Sequence, residues 1–202
     1  HPITFELLGK ARQIADASGG TVLCALLGSG VSGSAQDLVA GGCDTVYVYD
    51  DETLSFFDAL NYRQNLVALL EEVNPDIVLF GSTIVGKSLA PRVAAALEAG
   101  LTSNCVALEM QDDGTLQQTR PAFTGNFLAK VVTSSVPTMA TVRYRSLEAP
   151  APDSSRKGEI VEKKTEAVAS PVKVQGKGEA KKASIAGADV VVCAGRGLKK
   201  AE

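Results

Sequence analysis

Two hundred and two residues allow one ordinary domain and part of another. Hydrophobic residues make up 45% and charged residues 21%, which is a globular composition and not a disordered one. The net charge of −3 argues against a nucleic-acid binder, and no apolar run reaches the roughly 18 residues of a membrane helix. The single His, at position 1, nearly excludes His-dependent triads.

Thr4 to Ser18 repeats apolar residues at helical spacing (Leu7, Leu8, Ala11, Ile14, Ala15), with Thr4 as the expected cap and Gly19-Gly20 as the stop. Thr21–Leu27 is a continuous apolar run of strand length. A short helix over Ser34–Ala40 follows, then the β-branched and aromatic strand Thr45–Tyr49. Asn61–Glu72 reads as a helix and Asp76–Phe80 as a buried strand. Gly86–Leu97 reads as a helix closed by Gly100. Cys105–Met110, Thr115–Arg120, Ala129–Thr133 and Thr138–Arg143 are short strands, with Gly114 turning the first pair. This alternation predicts an α/β fold, an open parallel sheet with helices on both faces. A further strand is expected ahead of His1, because the sequence opens on a helix that needs a sheet beneath it.

The two ends differ. All ten aromatic residues precede residue 145. Residues 1–150 carry a net charge of −7 and residues 151–202 a net of +4. A stretch without aromatics cannot easily bury a core of its own. The expected organisation is a domain over 1–149, a linker or partner-clasping arm over 150–182, and a strand opening a further domain over 183–202. Four cysteines (24, 43, 105, 193) lie far apart without a CxxC pair, so neither a zinc site nor a disulfide framework is expected.

Gly28-Ser-Gly30-Val-Ser-Gly33 has the form GxGxxG, and Asp50 stands 20 residues after Gly30. Taken literally this is a dinucleotide fingerprint with its ribose-binding acid. The following helix is barely two turns long and a helix already precedes the strand, so the loop is read as a Gly/Ser-rich connection. A second loop, Gly81 to Ser88, offers Ser82, Thr83, Lys87, Ser88 and helix N–H groups to an anion or a flavin edge, or simply caps its helix. The segment Thr119–Phe127 places Arg120 before Pro121, as a site cation or a surface residue of a hairpin.

The words ELLGKAR (6–12), VYVYDDETL (46–54), LAPRVAAALEAGLTSNC (89–105), TRPAFTGN (119–126) and MATVR (139–143) occur in an order and spacing that resembles the alpha subunit of electron-transfer flavoprotein. The segment VVVCAGRGLK (190–199) is similar to the one that opens that family's FAD-binding domain. The resemblance implies an adenine nucleotide alpha-hydrolase-like α/β domain and a heterodimer with a beta subunit. It implies electron transfer between flavin dehydrogenases and an acceptor, without substrate chemistry of the subunit's own. It carries Arg196, in the GRG word, over as an FAD contact, although Cys193-Ala194 departs from the family's usual Ser-Gly. FAD belongs to the intact subunit and is not expected to be held tightly by this chain, in which Arg196 is the one contact that transfers. The family places no dinucleotide on residues 28–33. Arg120, Thr83 and Ser82 are expected to face a flavin held by the beta subunit. The prokaryotic character of GLTSNC and TRPAF and the absence of a signal-peptide pattern set the expectation of a cytoplasmic protein, with no membrane insertion and no nucleic acid. Two other readings stay open, a stand-alone adenine-nucleotide-binding α/β protein and a dehydrogenase fragment using the glycine loop.

Overall fold

The computed structural model describes residues 1–123, 127–175, 178, 185, 188, 190–195 and 197. The chain divides into two compact units, His1–Val172 and Lys173–Glu202.

In the first unit, α1 (Ile3–Ser18) leads into β1 (Leu23–Gly28), and α2 (Ala35–Ala40) into β2 (Thr45–Asp50). Then come α3 (Ala59–Val73), β3 (Ile77–Gly81), α4 (Ile84–Ala96) and β4 (Leu101–Cys105). The strands β5 (Ala107–Met110), β6 (Leu116–Ala122), β7 (Phe127–Val131), β8 (Thr138–Val142) and β9 (Glu159–Glu162) complete it. They form three three-stranded sheets. The orders β1-β2-β9 and β3-β8-β4 are parallel throughout, and β5-β6-β7 is antiparallel. The parallel α/β layers agree with the expectation from helix–strand alternation.

Helices cover both faces. Leu8 and Ala15 of α1 join Leu38 and Val39 of α2 against Val46 and Val48 of β2. Ile14, also on α1, packs with Ala140 and Val142 of β8 and with Leu108 and Leu116 of the antiparallel sheet. On the opposite face, Leu66 and Leu70 of α3 and Leu89 and Val93 of α4 close over Met139. One helix, α1, therefore contributes to the cores of both parallel sheets. Among the described residues, β1 bonds only to β2 and β3 only to β8, so each leaves one ladder edge open.

The ends of the helices follow their local chemistry. The cap expected at Thr4 is not used, because α1 already begins at Ile3 behind Pro2, and the ring Nδ1 of His1 accepts from the Ile3 N–H at 3.2 Å. Gly19 stops α1 in the left-handed region at φ 71°. Asp58 caps α3 by accepting from the Leu60 and Asn61 N–H groups, at 2.9 and 3.0 Å. Two buried or half-buried carboxylates tie distant segments to α1. Glu6 accepts from Arg145 N–H at 3.1 Å and Leu147 N–H at 3.3 Å. Asp44 accepts from Arg12 Nη1 at 2.7 Å and Val22 N–H at 2.8 Å.

The described residues from Glu159 to Val172 belong to the first unit. Glu159–Glu162 add β9 to the far edge of β2, with Val46 opposite Ile160. The extended chain after β9 is bonded to α3, and the first unit runs through Val172.

In the second unit, no ladder includes the described residues 190–195, which lie in the segment 183–202 expected to open a further domain with a strand. Val190 and Val192 are 82% and 94% exposed. A strand forms only when a sheet supplies its partner.

Candidate functional site

The glycine loop carries its own anion. Gly28, the last residue of β1, lies opposite Asp50, the last residue of β2. That register brings the Asp50 carboxylate onto the loop. Oδ1 accepts from the Gly30 N–H at 2.6 Å. Oδ2 accepts from the N–H groups of Val31 and Ser32 at 2.9 and 2.8 Å, and from Ser32 Oγ at 2.6 Å. Gly30 sits at φ 69°, which turns its N–H inward. The donors that a pyrophosphate would need are thus held by a side chain of this chain. The helix that follows spans six residues, too few for a substantial dipole. This geometry supports the reading of the loop as a connection.

Hydrogen bonds from Ser32 and from the loop N–H groups hold the Asp50 carboxyl below its usual range. A carboxyl depressed by folding stabilises the fold at pH values above its unfolded value of about 3.9. That contribution disappears as the pH falls through the lower, folded value. Amide exchange at Gly30, Val31 and Ser32 is therefore expected to stay slow as the pH falls to the unfolded value and to accelerate only below it, after correction for intrinsic rates. Asp50→Ala removes this protection at every pH. Equal protection in wild type and variant would show that the carboxylate does not hold the loop.

A second constellation lies at the carboxyl ends of β3, β4 and β8, where ligands gather in open α/β sheets. After β3 the chain turns through Ser82, whose N–H donates to the Val142 carbonyl at 2.7 Å. Thr83 is the N-cap of α4, and its Oγ1 accepts from the Gly86 N–H at 3.0 Å. The hydroxyl proton of Thr83 remains available. Lys87 on the first turn is exposed.

Asn104 joins three strand ends. Its backbone takes φ 64° beside a register shift in β4, a conformation Asn tolerates better than most residues. Its N–H donates to Thr141 Oγ1 at 2.8 Å. Its Oδ1 accepts from Ser82 Oγ at 3.5 Å and from Arg143 Nε at 3.4 Å, both long contacts. Neither Asn104 nor Arg143 stands out in the sequence as a site residue. The signals were there, in the TSNC and MATVR words, but an Asn in a polar run reads as a turn.

Arg120 lies inside β6, opposite Ala129, and not at a strand end. Its Nε is buried and has no hydrogen-bond partner. Cys105, next to Asn104, is fully buried. Burial pushes the Cys105 thiol up to about 11, and the nearby charge of Arg120 acts in the opposite direction. Arg120 thus approaches the end of β4 through Cys105, while Ser82 and Arg143 meet at Asn104. Arg196 lies outside the described residues. All four cysteines are free. Among the described residues, no group of three or more His, Cys, Asp or Glu side chains is placed to hold a metal. No helix among them is long and apolar enough to cross a membrane.

Residues 1–168 match the model of the electron transfer flavoprotein domain. The chain is 40% identical over 204 residues to the lactate dehydrogenase (NAD(+),ferredoxin) subunit LctC of Acetobacterium woodii, covering 98% of this chain and 49% of that protein. It is 38% identical over 210 residues to the electron transfer flavoprotein subunit alpha of Megasphaera elsdenii, covering 99% and 61%. The corresponding subunit of Thermoanaerobacterium thermosaccharolyticum is 35% identical over 201 residues, covering 97% and 61%. The chain therefore spans about half to three-fifths of the length of these relatives.

Proposed function

This chain belongs to the electron transfer flavoprotein domain family, and on that premise we propose that it is the N-terminal part of an alpha subunit that relays electrons between flavin dehydrogenases and an acceptor. The observation that carries the reading is the near-complete alignment with proteins named as alpha subunits of electron transfer flavoproteins. LctC is named as a dehydrogenase subunit, so a place inside a larger redox enzyme belongs to the same proposal. The chain contributes no substrate chemistry of its own in this reading, and the intact protein works in a prokaryotic cytoplasm. The dehydrogenase-fragment reading loses its dinucleotide loop, because the loop donors at 30–32 are already taken by Asp50.

Two flavin settings follow. Arg196 contacts FAD in the intact alpha subunit, where the GRG word brings a guanidinium suited to a pyrophosphate. FAD supplies one- and two-electron chemistry when bound, and this chain by itself is not expected to retain it tightly. Arg120, Ser82 and Thr83 face a second flavin, held by a beta subunit across the interface. The support is physical. Arg120 is partly buried with an unpaired Nε, Ser82 and Thr83 stand at the strand ends, and each carries a hydroxyl proton. A fixed cation stabilises a reduced, anionic flavin more than the oxidised one, and so raises its potential.

The test is Arg120→Ala in the reconstituted complex. A charge-assisted hydrogen bond of about 1.5–3 kcal/mol corresponds to roughly 30–65 mV for a two-electron couple. The potential of the partner-held flavin is expected to fall by up to that amount, with Arg120→Lys recovering part of it. Unchanged potentials and unchanged subunit affinity would make Arg120 a surface residue.

A further inference from the structure

Cys24 and Cys43 lie far apart in the sequence and meet in the core. Cys24, on β1, stands opposite Val46 and packs against the core cluster that holds Val22, Cys43 and Val46. Cys43 reaches the same cluster from the turn between α2 and β2. Gly42 makes that turn at φ 120°, and the Cys43 N–H donates to the Leu38 carbonyl at 3.2 Å. The next two N–H groups, of Asp44 and Thr45, both donate to the Val22 carbonyl, at 2.8 and 3.3 Å. The turn is thereby pinned to the chain just ahead of Cys24. Cys43 Sγ lies 3.5 Å from the Val22 carbonyl oxygen and 3.3 Å from that of Thr45. Its thiol also reaches the Cys24 sulfur as a hydrogen-bond donor.

A buried Cys usually serves as a small hydrophobe. Cys105 fits that description. It is fully buried, its thiol donates to the Thr102 carbonyl at 3.6 Å, and burial pushes it up to about 11. Cys24 and Cys43 differ from it and from one another. Cys24 is half-buried, so a small solute can reach it. The hydrogen bond from Cys43 favours the Cys24 thiolate and holds Cys24 below the usual thiol range, against the opposing effect of burial. Cys43 is fully buried and is raised by the same hydrogen bond and by its burial, so it stays a thiol. A lowered, reachable thiol with a protonated one in contact behind it is the arrangement of an attacking and a resolving cysteine.

We propose that Cys24 and Cys43 are a modification site, at which a hydroperoxide closes an intrachain disulfide between β1 and the turn before β2. The Cys24 thiolate attacks one oxygen of hydrogen peroxide, and the O–O bond breaks. The products are the Cys24 sulfenic acid and hydroxide, which takes up the proton that Cys24 had released. The Cys43 sulfur then attacks the Cys24 sulfur. The S–O bond breaks, and the hydroxyl leaves with the Cys43 proton as water. In sum, two thiols lose two electrons and two protons, and one peroxide becomes two waters. A thiol reductant reverses the modification by exchange. The closed ring runs from Cys24 to Cys43 and so includes the glycine loop and α2. The site lies wholly within the first unit and holds whether or not the proposed electron-transfer role does.

The experiment is peptide mapping of the folded 202-residue chain after treatment with hydrogen peroxide, with the remaining thiols alkylated before digestion. Wild type is expected to yield a non-reduced peptide pair that joins Cys24 to Cys43 and weighs two hydrogens less than its parts. Alkylation should be lost at these two residues in equal measure, kept at Cys105, and restored by dithiothreitol. In Cys43→Ala no resolving sulfur remains, and dimedone should label Cys24. Cys24→Ser should leave Cys43 fully alkylated. Cys193, which is exposed, reports that the oxidant has acted. A wild-type map in which Cys193 is oxidised while Cys24 and Cys43 are both still alkylated would overturn the proposal, whatever the variants do. So would a linked pair that forms only in urea, since the folded contact would then play no part.

Discussion

Gly86→Ala is expected to destabilise the first unit by about 3 kcal/mol or more, at or above the upper end of overpacking costs. On helix propensity alone the change should stabilise, by up to about 1 kcal/mol, since Gly is a poor residue in a helix. Sterics win here. A Cβ on Gly86 would come within 1.9 Å of the Gly81 carbonyl oxygen, a backbone atom that cannot rotate away. That carbonyl ends β3, and the Gly86 N–H is the one capped by Thr83. Relieving the clash therefore means moving the start of α4, with Ser82 and Thr83 on it. The melting temperature should fall by roughly 6–12 °C, at about 2–4 °C per kcal/mol for a chain of this size. Gly33→Ala is the control, because its Cβ would meet nothing within 4 Å. Equal melting temperatures for the two variants would mean that α4 is not seated as described.

Gln118→Met is expected to act in the opposite direction. Gln118 is fully buried on β6, and neither Oε1 nor Nε2 has a hydrogen-bond partner. An orphaned buried polar group costs roughly 1–3 kcal/mol. Met keeps the length and volume of the side chain and removes the cost. A gain of about 1–3 kcal/mol, or roughly 2–12 °C in melting temperature, should follow. Strand alternation puts Gln118 on the same face as Arg120, whose Nε is also unpaired. A loss of stability on Gln118→Met would show that the amide has a partner in solution, and that this face of β6 is an occupied polar site.

The sequence made some of this architecture easy to see. TVYVY and DIVLF gave β2 and β3 to within two residues, because buried parallel strands are continuous apolar runs. In α3 the leucine spacing marked the buried face. The strand β4 was missed, since Leu101-Thr-Ser-Asn104-Cys has few β-formers and a left-handed residue before its end. Its place is set by pairing with β8, which no local pattern carries. The strand β9 lies inside the segment read as a linker or arm, because nothing in the sequence says that the far edge of β2 is open. Asn61 and Asn65 are buried on α3, where the chain after β9 is hydrogen-bonded to them, a pairing that no local pattern carries. At the site, Ser82, Thr83 and Arg120 could be picked out as polar residues in informative words. Asn104, Arg143 and Gln118 could not, because their significance is a matter of which strand ends meet.

The open edges of β1 and β3 have a consequence for how this polypeptide behaves in a tube. Leu23–Gly28 and Ile77–Gly81 contain neither a charge nor a proline, the usual guards of an edge strand. Each presents a row of N–H and C=O groups set for a parallel neighbour, and each has apolar residues on both faces. A strand that satisfies either edge must be apolar on both sides, as buried parallel strands are. In a concentrated solution the most available strand of that kind belongs to another copy. Colloidal behaviour is then governed by two short rows of peptide groups, and a net charge of −3 offers them little repulsion.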